Sequence, residues 1–449
     1  MSNCLGDTYL LSDIQLIMSQ NKINIVSLGC SKNLVDTELL MKQLDANQFQ
    51  VSCDEDNSDA RTIIINTCGF IGDAKEESID MILQYVDAKK AGQIDTLFVM
   101  GCLSERYRDD LAVEIPEVDK FFGKFEWKAI VKELHKEYKP DFSNMRMITT
   151  PKHFAYLKIS EGCNRGCSYC AIPIITGKHI SRPVEEIVEE ATNLAASGVK
   201  EFLVIAQDLS YYGHDLYGKS MLAELLEKLS EIKDLEWIKL HYAYPTQFPY
   251  DILKVMRENP KVCRYLDIAL QHSSDNVLSL MRRGINREQT IELINRIREE
   301  VPGITLRTTM LVGHPGETEV DMEDLKAFVQ EMKFERLGVF PYSNEDDTYA
   351  ALHYIDDIPQ EVKESRKDDI MSLQQEISRE ANQSRIGEKM KVIIDRKDED
   401  FFYGRTEFDS YEVDPEVLIS SENSDLKIGQ MCQVEITDAE DYDLFAVVV

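Results

Sequence analysis

No uninterrupted apolar run in these 449 residues approaches the ~20 needed to cross a bilayer, which excludes a helical membrane span. A secretory leader is not expected either. The opening residues, MSNCLGDTYLLSDIQLIMSQ, carry no basic cluster ahead of an apolar stretch and no small-residue cleavage site, so residues 1–21 read as a loose extension and the chain as cytoplasmic. Positive charge is in short supply: 50 basic residues against 81 acidic ones leave a formal charge of -31. Phosphate backbones are bound through Lys and Arg, so such a chain is handicapped against nucleic acid and favoured with a basic protein. Only a local basic groove would reverse this, since charges more than ~8 Å apart are largely screened at physiological salt. There is no repeat of solenoid period and no long low-complexity linker. With no leader expected, the ten cysteines point to reduced thiols and hence to metal binding or catalysis rather than to disulfides. Cys4, Cys53, Cys263 and Cys432 lie singly and read as incidental thiols.

At roughly 150 residues per domain the length predicts about three domains, and with 43% hydrophobic residues the chain can bury several cores. In the first, residues 22–140, KINIVSLGC, ARTIIINTCGF and DTLFVMGC are β-rich runs, each followed by a helical pattern; that alternation predicts a parallel sheet covered by helices on both faces, a doubly wound α/β domain. In the second, residues 150–381, FAYLKIS, EFLVIAQ, WIKLHYA, YLDIALQ, ITLRTTMLVG and RLGVFPYS alternate with helices. Six βα steps predict a barrel, open or complete, with its chemistry at the carboxyl ends of the strands. In the third, residues 382–449, five short runs from KMKVII to DLFAVVV predict a five-stranded antiparallel β-barrel. This last region holds 7 basic and 17 acidic residues, a net of -10.

Six cysteines form a pattern. Cys163, Cys167 and Cys170 follow the first strand of the second region in SEGCNRGCSYC, and thiolates this close can converge on one iron-sulfur cluster, leaving one iron of a cubane without a protein ligand. A structural zinc site would need a closed set of four, and no fourth ligand sits at finger spacing; His179 lies nine residues past Cys170. Cys30, Cys68 and Cys102 are far apart in sequence, yet each ends a strand of the first region. Loops at the carboxyl edge of a parallel sheet meet in space, so these three thiols are expected to build a second cluster, again with one iron open and suited to carrying sulfur.

On both triads and the order of the three regions, the chain from about Lys22 resembles the methylthiotransferase family of radical S-adenosylmethionine (SAM) enzymes, with a cluster domain, an open (β/α)6 radical SAM barrel and a TRAM domain. SLGCSKNLVDTE, NTCGFIGDAKEESI, ISEGCNRGCSYCAIP, LDIALQHSSDNVL, LVGHPGETE and FPYSNEDDTYA are similar to the RimO type, which modifies a ribosomal protein, rather than to the MiaB type, which modifies adenosine in transfer RNA. Thr176 and Ile180 stand where the family usually has basic residues, and His314 where it has an aromatic.

That resemblance implies two [4Fe-4S] clusters, with SAM as radical source and methyl donor. It further implies an electron donor such as flavodoxin or ferredoxin and, as target, the β-carbon of an aspartate in the twelfth small-subunit ribosomal protein, a basic partner that suits an acidic enzyme. Nucleic acid would be met only through the ribosome, and no membrane is involved. Tyr169 matches the aromatic position beside adenine. Gln207, Asp208, Gln271, His272, Arg307, Gly313, Glu317, Tyr342 and Ser343 are candidate SAM contacts near strand ends, Arg307 as a carboxylate partner and the glycine for close approach, while ordinary packing would account for each singly. The rival readings are a transfer-RNA methylthiotransferase and a noncatalytic electron-transfer or scaffold protein.

Overall fold

The computed structural model describes residues 21–449 apart from positions 57, 412 and 424. Cys4 and nearly all of the expected extension lie outside these residues. Two compact units form, one comprising the chain up to Thr149 with Ile174–Gly177, the other Thr150–Pro173 and Lys178–Val449. Among the described residues no helix is long and apolar enough to cross a membrane.

The first unit is a five-stranded sheet of β1 (Lys22–Ser27), β2 (Gln50–Cys53), β3 (Thr62–Thr67), β4 (Thr96–Gly101) and β5 (Lys120–Phe121), in the order β2-β1-β3-β4-β5 and parallel throughout. Its β-branched runs alternate between two cores. Ile63, Ile65, Leu97 and Val99 face one core with Ile82 and Val86, whereas Ile64, Phe98 and Met100 face the other with Leu40 and Leu44. Strand side chains point to opposite faces in turn, so a strand buried on both faces must be apolar at every position, as TIIINT and TLFVMG nearly are. Strand order reverses between β1 and β3, the switch point of such a sheet, where loops diverge and leave a crevice.

The second unit holds a parallel six-stranded open barrel: β6 (Phe154–Lys158), β9 (Glu201–Ile205), β10 (Trp237–Ala243), β11 (Val262–Gln271), β12 (Thr305–Val312) and β13 (Arg336–Pro341), adjacent in chain order. A short antiparallel pair, β7 (Ser160–Glu161) with β8 (Ile180–Ser181), closes the base of the loop that follows β6. The covering helices are amphipathic; in Val184–Ala196 the buried Val184, Ile187, Ala191 and Leu194 fall on one face.

The carboxyl-terminal strands β14 (Lys389–Lys397), β15 (Phe401–Thr406), β16 (Val417–Ser420), β17 (Met431–Ala439) and β18 (Leu444–Val448) close a barrel in the order β14-β15-β16-β18-β17. Its expected antiparallel pairing needs one correction: β16 and β18 run parallel. The reason is arithmetic, because strand direction cannot alternate all the way round a closed ring with an odd number of members.

This small barrel shares a compact unit with the open one, joined at the amino ends of the open barrel's strands. Arg405 reaches the buried Glu201 at 2.7 Å and Asp395 at 2.6 Å, Lys239 meets Glu201 at 2.7 Å, and Arg336 meets Asp409 at 2.6 Å. Burial pushes the Glu201 carboxyl upward, yet the charges of Arg405 and Lys239 win and bring it down to about 2. Trp237, Cys263, Tyr265, Ile393 and Met431 add an apolar patch to the joint.

Candidate active site

Both cysteine triads lie at carboxyl ends of parallel strands. In the first unit Cys30 ends the loop after β1 and precedes the helix α1 (Ser31–Ala46), Cys68 follows β3, and Cys102 opens the helix α2 (Cys102–Glu114) after β4. Cys30 and Cys68 thus flank the switch point. A Cβ added to Gly29 would sit 2.7 Å from Cys68 Cβ, and its φ of +91° also demands glycine. Asn33 ties the three loops together, donating to Leu28 O at 3.3 Å and Thr67 O at 3.1 Å and accepting from Cys102 Sγ at 3.4 Å. Ser78 clamps Cys68 by accepting from its amide and donating to its carbonyl, both at 3.0 Å. Burial raises the Cys102 thiol to about 12, opposed by the charge of buried Lys124 and reinforced by Cys30 and Cys68. Burial raises Cys68 as well, opposed by the Phe70 amide and Lys124 and reinforced by Cys30 and Glu77. Cys30 thus acts on both of the other thiols, and it is itself exposed.

In the second unit the triad occupies the loop between β7 and β8. Arg165 pins this loop to the strand ends beside it, donating to Asp208 at 2.7 Å, Thr246 Oγ1 at 3.1 Å and Gln247 Oε1 at 3.2 Å, with its guanidinium 4.3 Å from the Tyr244 ring. Ser168, between two of the cysteines, donates its amide to Met281 O at 3.0 Å and accepts Ala350 N–H at 2.7 Å. Its hydroxyl lies 3.0 Å from Nε2 of His314, whose Nδ1 lies 3.0 Å from the Pro315 carbonyl. A carbonyl only accepts, so Nδ1 carries the proton and Nε2 accepts from Ser168. Burial lowers His314 to about 4, keeping it neutral. The ring also meets Tyr169, Tyr342 and Tyr354 edge-on, at 6.5, 5.3 and 5.8 Å. His314 thus fills an aromatic position and adds a hydrogen bond to the cysteine loop.

Among the described residues no group of three or more His, Cys, Asp or Glu is close enough to hold a single metal ion. Each triad offers three free thiols in a partly buried setting, the donor type that an iron-sulfur cluster takes.

Several of the SAM candidates gather around the triad loop. Tyr169 accepts from Arg283 at 3.3 Å, Asp208 holds Arg165, and Gln207 donates to Glu161 while its buried Oε1 has no partner. Gln271 ends β11 with φ of +76°, a conformation costly for a residue with a side chain. Gly313, Glu317 and His272 form a chain: Gly313 N–H donates to the Glu317 carboxylate at 2.9 Å, Arg366 pairs with it at 2.9 Å, and His272 Nε2, otherwise unpartnered, lies 3.5 Å away. Tyr342 and Ser343 turn to Asn344 at 3.0 Å and Glu345 at 2.8 Å. Arg307 is the exception. It sits near the amino end of β12, where its guanidinium lies 3.3 Å from Asp414 of the small barrel and 3.6 Å from Asp267, so it serves the joint.

Sequence reasoning missed Asn33, Ser78 and Lys124 in the first unit, and Arg165, Tyr244 and Arg283 in the second. Arg165 alone had a signal, a cation inside the cysteine loop itself.

Three family descriptions match the chain: "Uncharacterized protein family UPF0004" over residues 22–123, "Radical SAM superfamily" over residues 157–329 and "TRAM domain" over residues 386–449. The ribosomal protein uS12 methylthiotransferase RimO of Bacteroides thetaiotaomicron is 59% identical over 429 residues, covering 96% of this chain and 98% of its own. Its counterparts in Phocaeicola vulgatus and Porphyromonas gingivalis are 58% and 56% identical, each over 96% of this chain and 99% and 100% of their own. Among solved structures, the radical SAM methyltransferase TsrM from Kitasatospora setae, with tryptophan substrate and a SAM analog bound, superposes with a TM-score of 0.53 at 13% identity. It covers 71% of this chain and 73% of its own, a likeness of fold alone.

Proposed function

The chain belongs to the RimO family of ribosomal protein uS12 methylthiotransferases, and from that premise we propose that its two cysteine triads hold two [4Fe-4S] clusters that together methylthiolate the β-carbon of an aspartate in uS12. It is a radical SAM transferase rather than a scaffold. When bound, the clusters and SAM supply the radical, the sulfur and the methyl group. Cys163, Cys167 and Cys170 would hold the radical-generating cluster, and Cys30, Cys68 and Cys102 the sulfur-carrying one. All six must shed protons to ligate, so the burial that raises Cys102 and Cys68 makes assembly release protons and favours it at higher pH.

The remaining residues fix geometry. Arg165, Asp208 and His314 hold the triad loop in one conformation, which orientation-dependent chemistry requires. Tyr169, Gln207 through its free Oε1, Gln271 and Tyr342 are the proposed contacts to SAM. Asp208, Gly313, Glu317 and Ser343 support them through their hydrogen bonds to neighbouring residues. A flavodoxin or ferredoxin would deliver electrons, in the cytoplasm.

The observation that favours protein over RNA is the charge of the carboxyl-terminal barrel. Of its seven basic residues, Lys389, Lys391 and Arg396 are paired with Glu435, Glu236 and Glu416, and Arg405 is buried. Few cations remain for phosphate. The test supplies the reconstituted enzyme with uS12 and, separately, with an adenosine-modified anticodon stem-loop, and reads both by mass spectrometry. Methylthiolation of uS12 alone is expected; methylthiolation of the RNA alone would overturn the assignment.

A further inference from the structure

Five arginines are buried among the described residues: Arg146, Arg283, Arg336, Arg366 and Arg405. Four face a carboxylate, namely Glu38, Asp409, Glu317, and Glu201 with Asp395. Arg283 faces none. Its Nη1 donates to Cys167 Sγ at 3.2 Å and to Tyr169 Oη at 3.3 Å, its Nη2 to the Ala269 carbonyl, and its Nε has no partner. The guanidinium lies 4.1 Å from the Tyr244 ring, and the Tyr244 hydroxyl donates to the Arg283 carbonyl at 3.1 Å. A buried cation without a counter-charge is costly, and guanidinium does not neutralise by losing a proton. The negative charge must come from the sulfur it touches. It is present once Cys167 is a thiolate, as ligation requires.

We propose that Arg283 is the positioning and charge-compensating residue of the Cys167 thiolate, and that by balancing the added negative charge it makes the radical-generating cluster easier to reduce. Hydrogen bonds and charge at cluster sulfurs are recognised determinants of potential. Ala269 O and the Tyr244 ring fix the reach of the guanidinium, so one nitrogen serves both Cys167 and Tyr169. The inference rests on Cys163, Cys167 and Cys170 being cluster ligands, and its test separates the two ideas.

The full chain carrying Cys30, Cys68 and Cys102→Ala serves as parent, so that one cluster alone is present, and its midpoint is measured by redox titration followed by electron paramagnetic resonance. Arg283→Gln is expected to lower the reduced-to-oxidised ratio at fixed potential about tenfold, a midpoint about 59 mV lower for one electron. Arg283→Lys, which keeps the charge but cannot span all three partners, should fall about threefold. An unchanged midpoint in iron-loaded Arg283→Gln would overturn the inference, as would a drop in Arg283→Lys as large as that in Arg283→Gln. If Arg283→Gln takes up no iron, Arg283→Lys decides, and a parental midpoint there overturns it. A parent without a cluster would defeat the ligand assignment itself and the inference with it.

Discussion

Arg405→Met removes a guanidinium that serves two buried carboxylates at once, Glu201 at 2.7 Å and Asp395 at 2.6 Å. Breaking a buried pair costs about 3–5 kcal/mol, because a charge is left uncompensated. Here each carboxylate keeps a second partner, Lys239 at 2.7 Å from Glu201 and His153 at 2.7 Å from Asp395, so the lower figure, about 3 kcal/mol, applies. With a urea m-value near 3 kcal/mol/M, that moves the midpoint down by about 1 M. The chain contains its own reporter. Of its two tryptophans, Trp237 lies in the apolar patch of the joint, so Trp127→Phe leaves a single fluorophore that reads this region. The gap must also depend on pH. Burial raises Glu201 and Asp395, but Arg405 and their other partners hold both below the ordinary carboxylate range. Carboxylates lowered by folding stabilise above their unfolded pKa of about 4, and that contribution disappears as pH falls toward the folded value, about 2 for Glu201. The variant lacks most of this contribution, so the gap between the two proteins should be full at pH 7 and narrower at pH 4. A midpoint shift below about 0.3 M, or a gap equal at both pH values, would refute the reasoning.

Other outcomes follow from the sites themselves. In cluster-free protein at pH 7.5, Cys30 should alkylate before Cys102 within the first unit's triad, because burial lifts the Cys102 thiol to about 12 while Cys30 is exposed; peptide mapping after brief iodoacetamide treatment would show the order. Lys124→Met removes the cation that opposes that rise, so iron uptake by the Cys30, Cys68 and Cys102 site should weaken, about tenfold by titration, with the other triad unaffected. His314→Phe keeps the ring packing but leaves the Ser168 hydroxyl without its acceptor, which should cost about 1–3 kcal/mol in thermal unfolding. Equal melting temperatures would show that the hydrogen bond does not matter.

The positions of the six cysteines were legible because strand pattern is a local property. A run such as TIIINT announces a strand and therefore its carboxyl end, where Cys68 must stand. Topology then does the rest, since a parallel sheet brings all such ends to one edge. Arg307 misled for the complementary reason: the pattern placed it on a strand but could not reveal that the small barrel caps the other end and presents Asp414 there. Arg283, Tyr244 and Asn33 were invisible because each acts across loops from different strands, and nothing local distinguishes a cation that meets a thiolate from one on a helix surface. The odd strand count of the small barrel was visible, but the parallel pair that closure then requires was not read from it.

Iron and sulfide content per chain, after anaerobic reconstitution, tests the central claim most directly. Wild type should hold two cubanes, Cys30, Cys68 and Cys102→Ala one, and Cys163, Cys167 and Cys170→Ala one. Iron unchanged by either triple substitution, or a wild type that saturates at a single cubane, would contradict the account.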